Sequence, residues 1–348
     1  MKFRLRKKLL FLSVLIAILV LMNLWLDREP NPHYALHYSE VFHPKVNANV
    51  IILGGSDVTH GINPRYLEAD QLKVYNFSLN GAGPSFNLKW YKKIFEPYYP
   101  KPLCVIYGVH WGMFDENLLK RKFDNDSKYF PRHLLFNEFN YLEALKILIL
   151  NRFAFIRERK QLLPRMSGRQ PEVFVLSRYY HGFIPYERKG GLEKKKDVKP
   201  KNSEAQIRAF EELLDEFGKN KIEVIFVQAP GYLPARDNSN IEESMKLLNK
   251  IAEERKIPFL DYDTKRITEI NTDPSMFSDW IHLNEKGSDA FSELLKSDLE
   301  FVLEKDLPKR EGLLFQGGFH EAFEREEIAC GLIRLKIEGS YRPKEQSS

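Results

Sequence analysis

The chain has 348 residues, 43% hydrophobic and 29% charged, values ordinary for a globular protein with room for two domains or one large one with insertions. Lys2, Arg4, Arg6, Lys7 and Lys8 account for the whole net charge of +5, leaving 48 basic against 48 acidic side chains in the other 340 residues. That neutral body lacks the basic footprint a phosphate backbone needs, which argues against nucleic acid as the partner. Two cysteines, Cys104 and Cys330, suggest neither a disulfide framework nor a zinc site.

Behind the cytoplasmic basic segment, residues 1–8, runs Leu9 to Leu26, eighteen residues interrupted only by Ser13 and Asn23. That is just long enough to span a hydrocarbon core. The run ends in bulky residues with no small-x-small cleavage site, so an uncleaved signal anchor over 9–26 is expected, with a cleaved signal as the alternative. The positive-inside rule then keeps the N-terminus in the cytoplasm and exports everything after residue 27, to the periplasm or cell surface. Residues 27–48 are polar and punctuated by proline, which reads as a stalk.

Val50 to Leu53 is an apolar run broken by Gly54-Gly55, a buried parallel strand followed at once by Ser56. Asn63-Pro64 predicts an N-cap and the start of a short helix to about 69. A second strand over 73–77 leads into Gly81, a helix covers 85–97, and a third strand over 103–107 ends at Gly108-Val-His110-Trp111. This alternation predicts a parallel sheet. Residues 115–200 break the rhythm. Tyr141 to Phe155 has apolar groups at helical spacing, predicting a helical insertion that caps the core or faces the bilayer, and 187–201 reads as a charged surface loop. Order returns with a helix near 203–217, a strand over 223–228, a helix over 241–255, a strand over 258–261 and a last helix from 285 to about 303. The tail, 306–348, has no clear period and no assigned role.

A serine at the carboxyl end of a parallel strand sits where open α/β sheets gather ligands and catalytic groups. Acyl transfer through it needs a base, a group that orients the base and donors for the oxyanion. Asp279 and His282, three apart in the loop before the last helix, supply a carboxylate and an imidazole at a spacing that fixes one tautomer.

At these residues the chain resembles the SGNH/GDSL hydrolase superfamily. Gly54-Gly55-Ser56 matches the first block, whose serine is the nucleophile, with Gly55 where the family usually has Asp. Asn76-Phe-Ser-Leu-Asn-Gly81 resembles the second, whose glycine gives an oxyanion N–H. Asp279-Trp-Ile-His282 matches the last, carrying the Asp and His of the triad. The third block normally offers an Asn side chain, and His110 stands there instead. The resemblance covers about 50–110 and 220–305. It implies a three-layer α/β/α, flavodoxin-like sandwich over 49–305, a catalytic triad of Ser56, His282 and Asp279, and an oxyanion hole from Ser56, Gly81 and His110. It implies no metal or organic cofactor. With the expected anchor, the layout is similar to membrane-tethered members that handle acyl groups on cell-envelope polysaccharide, either as esterases or as O-acyltransferases.

Two rival readings stand beside it. Asp57, His60, His110, Asp279 and His282 could converge on a zinc or manganese ion. Alternatively, the departures at Gly55 and His110 would suit a catalytically silent scaffold that partners a membrane acyltransferase, with Tyr141–Phe155 as the contact.

Overall fold

The computed structural model describes residues 2–26, 32–42, 46–69, 72–116, 179–186, 202–235 and 241–306, with isolated positions between 118 and 192. Met1–Val302 form one compact unit, and the second, Leu303–Ser348, lies outside the described residues apart from the end of the last helix. The expected charged loop, most of the expected helical insertion and the tail lie outside them too.

Five short strands form one parallel sheet: β1 (Val50–Leu53), β2 (Val74–Asn76), β3 (Cys104–Gly108), β4 (Glu223–Gln228) and β5 (Phe259–Asp261), in the order β2-β1-β3-β4-β5. Each is an apolar run rather than an alternating one because both faces of the sheet are covered. Ile51, Leu53, Tyr75, Val105, Tyr107 and Phe226 look into one core. Helices α5 (Pro84–Trp90), α6 (Glu204–Lys219) and α7 (Glu242–Arg255) close over that side. Successive residues point to opposite faces, so Ile52, Ile106 and Ile225 lie buried on the other side. There α8 (Glu285–Asp306) buries Phe291 and Leu295 and bonds to the short helices α3 (Ser56–Gly61) and α4 (Pro64–Leu67). Asn63 caps α4 by accepting from Arg65 N–H, with Pro64 at the first helical position.

The N-terminal helix α1 (Lys2–Leu26) contains Arg6–Trp25, long and apolar enough to cross a membrane by length and composition. The expected stalk is a correction. Residues Pro32–Phe42 form a helix, α2, that buries Tyr38, Val41 and Phe42 in the first core. The Val41 carbonyl accepts from the Trp90 indole N–H at 2.8 Å, and His37 bonds the Ser78 carbonyl at 2.7 Å. Tyr38, Val41 and Phe42 recur at three- and four-residue spacing, an amphipathic stripe that the prolines at 30 and 32 obscure in sequence.

The strand order reverses between β1 and β3: the chain leaves β1 for one edge of the sheet and β3 for the other. In doubly wound sheets the crevice at this point, outside the carboxyl ends, is the usual ligand site. Ser56 follows β1 there, and His110 follows β3.

Candidate active site

Ser56 is the first residue of α3, and the turn that aims it depends on glycine. Gly54 has φ +146°, and a Cβ on it would lie 2.7 Å from Val58 Cγ2 and 3.0 Å from the Gly108 carbonyl. At Gly108 a Cβ would come within 2.4 Å of the same valine. Both glycines therefore let β1, β3 and α3 close up on Val58, which is fully buried. Behind α3, the Asn76 amide donates to the carbonyls of Val58 (2.8 Å) and Ile62 (3.1 Å). These buried bonds tie the serine's helix to the end of β2.

The Ser56 hydroxyl lies 2.8 Å from His282 Nε2, although 226 residues separate them. His282 Nδ1 faces the Asp279 carboxylate at 2.8 and 3.0 Å. Asp279 Oδ1 also accepts from the backbone N–H groups of Ile281 (2.9 Å) and His282 (2.8 Å), so one carboxylate shapes the turn and orients the ring. Burial opposes the charge on Asp279, but the His282 ring and those two N–H groups outweigh it and hold the carboxyl down to about 2. With the Nδ1 proton committed to the carboxylate, Nε2 is left to accept from Ser56.

Of the expected oxyanion donors, Gly81 has φ +68°, a left-handed position in the loop after β2, and a Cβ on it would meet nothing within 4 Å. It therefore borders open space. His110 Nδ1 accepts from Gly112 N–H at 3.0 Å, which puts the proton of the neutral ring on Nε2. That nitrogen would lie 3.5 Å from a Cβ on Gly55, next to Ser56. The same Cβ would lie 3.0 Å from Asp57 Oδ1. The Asp57 carboxylate therefore lies against position 55.

The sequence reading missed the packing that holds His282. The His60 and His282 rings meet edge to face at 5.8 Å, and Tyr186 lies 4.7 Å from the first and 4.8 Å from the second. His60 Nδ1 donates to the Ile184 carbonyl at 2.7 Å, and its Nε2 lies 3.4 Å from the Tyr34 hydroxyl on α2. Burial pushes this imidazole down to about 3, the neighbouring His282 adding to the effect and the Ile184 bond opposing it. His60 stands four residues after Ser56, one helical turn, which was its only signal in the sequence. For Tyr186 there was none.

The convergence on a metal does not form. Both ring nitrogens of His60 and of His282 face protein partners. Among the described residues no group of three His, Cys, Asp or Glu side chains stands as a metal ion would need. Cys104 is buried in β3, and burial pushes its thiol up to about 12.

No family model matches the chain, and no curated protein is similar to it. Solved structures similar to it include a GDSL-like lipase from Bacteroides thetaiotaomicron VPI-5482, 12% identical with a TM-score of 0.38, covering 78% of this chain and 100% of that one. Another is the lipase/acylhydrolase from Enterococcus faecalis, 13% identical with a TM-score of 0.37, covering 73% and 96%. The three residues that carry the chain's resemblance to the SGNH/GDSL hydrolases in sequence, Ser56, Asp279 and His282, are the ones the fold brings together.

Proposed function

We propose that this protein is a membrane-anchored serine esterase or O-acyltransferase that handles acyl groups on cell-envelope polysaccharide from the extracytoplasmic side. One observation carries the reaction class: the unbroken run of hydrogen bonds from Ser56 through His282 to Asp279 at the sheet's switch point. His282 Nε2 takes the hydroxyl proton as Ser56 Oγ attacks the ester carbonyl, and Asp279 stabilises the resulting imidazolium. Charge develops on the carbonyl oxygen, where the Ser56 and Gly81 N–H groups and the His110 Nε2–H are the donors we assign. His282 then returns its proton to the leaving alcohol, and the acyl group stays on Ser56 as an ester. Water or a sugar hydroxyl, deprotonated by His282, attacks that ester and frees the serine. The acceptor alone decides between hydrolysis and transfer.

The membrane part rests on α1 and on the five basic residues before its apolar run. The polysaccharide part rests on the family layout.

The test uses the full chain in detergent micelles with a fluorophosphonate probe and p-nitrophenyl acetate. A label mapped to Ser56, and lost with turnover in Ser56→Ala and His282→Ala, is the expected result. Absence of both label and turnover would overturn the catalytic reading in favour of a silent partner of a membrane acyltransferase.

A further inference from the structure

A cleft opens at Asp57, the residue after Ser56, and is lined also by His110, Trp111, Gln228, Asp263 and Trp280 among others. Three of these residues are more than nine-tenths buried: Asp57 at 8% exposed, Asp263 at 6% and Gln228 at 2%. Asp263 accepts hydrogen bonds, but among the described residues nothing donates to either carboxylate oxygen of Asp57 or to Gln228 Oε1. Turning the Gln228 amide would not help. Its Nε2 donates to Asp263 Oδ2 at 2.8 Å, and the other oxygen of Asp263 accepts from Gly231 N–H at 3.0 Å. The amide is therefore fixed with its oxygen left over.

Buried acceptors without donors are destabilising, most of all on a carboxylate, and they call for a ligand that brings the donor. The charge around them is one-sided. Among the described residues lining the cleft there are two carboxylates and no lysine or arginine. Trp111 and Trp280 stack there at 6.1 Å with planes 29° apart, and aromatic faces attract cations.

The geometry points to this cleft as a subsite for a primary ammonium group carried by the ester substrate. Such a group has three N–H donors for Asp57 and Gln228 and a positive charge for the carboxylate. A hydroxyl has one donor and no charge. The assignment deepens the esterase reading and rests on it: the substrate class is an ester with an amino group within reach of the acyl carbon.

The test is competitive inhibition of p-nitrophenyl acetate hydrolysis by the full chain at pH 7, comparing butylammonium, 1-butanol and methyl glucoside. Butylammonium is expected to have a Ki about tenfold or more below that of butanol, the scale of one charge-assisted hydrogen bond. The ratio should fall towards one in Asp57→Asn and in Gln228→Leu, whatever happens to their turnover. Equal Ki values for the amine and the alcohol, or tighter inhibition by methyl glucoside than by either, would overturn the subsite while leaving the esterase standing. If the chain hydrolyses no ester, calorimetric titration of butylammonium into Ser56→Ala still decides the question. Binding that disappears when Asp57→Asn is added supports the subsite, and no binding refutes it.

Discussion

Asp279 performs three tasks with one carboxylate: it closes the 279–282 turn, fixes the His282 ring and carries the countercharge. Asp279→Asn keeps the shape but supplies an amide where an acceptor is needed, which favours the wrong tautomer of His282. We expect kcat to fall by roughly 10³–10⁴ with KM little changed, measured on p-nitrophenyl acetate. His110→Ala should cost about 10² in kcat if Nε2–H serves the oxyanion; an unchanged rate would remove it from the hole. His60 gives a pH signature. Its folded pKa of about 3 lies below the ordinary 6.5, so between those values the unfolded chain binds the extra proton. Its contribution to stability is complete above about pH 6.5 and is lost as pH falls towards 3. The total is on the order of 5 kcal/mol. Urea titrations from pH 7 to 4 should register that loss, and a His60→Phe variant should lack it. Ser56, Asp279 and His282 could be read from the sequence because a short motif carries each of them. Asp57 was legible only as a candidate metal ligand and Gln228 not at all, because acceptors buried without donors are a property of the folded chain that no sequence pattern encodes.

Strands were the most legible elements, since a parallel strand covered on both faces is a plain apolar run bounded by glycine or a polar residue. All five lie within a residue or so of where the sequence put them. The helix α3 was not legible. It has six residues, including β-branched Val58 and Thr59 and terminal Gly61, and no side-chain cap at Gly55, so tertiary packing alone specifies it. That dependence predicts where the element is fragile. Gly108→Ala would press a methyl group onto Val58, and neither β3 nor α3 can retreat. The expected cost is about 1–3 kcal/mol, read as a lower Tm, with esterase activity falling more steeply than stability because Ser56 moves with α3. Val58→Ala in the same chain should restore part of both.

At the scale of the molecule, α2 separates what composition can say from what it cannot. Polar and proline-bearing, it reads as a spacer; folded, it contributes Tyr38, Val41 and Phe42 to the core and Tyr34 to the wall behind His60. A chain beginning at residue 31 is expected to fold and hydrolyse p-nitrophenyl acetate. One beginning at residue 49 should not fold, because each large core side chain removed costs roughly 2–5 kcal/mol. Circular dichroism melts of the two proteins would decide between a structural helix and a dispensable spacer.

Only residues 27–31 lie between the membrane-length helix and α2, and five extended residues reach at most about 18 Å. On the proposed anchored reading, so short a connection holds the active site to esters near the bilayer surface. On the same reading, a cut between residues 27 and 31 would release the domain with its core whole, whereas a cut past Phe42 would remove Tyr38, Val41 and Phe42 from that core.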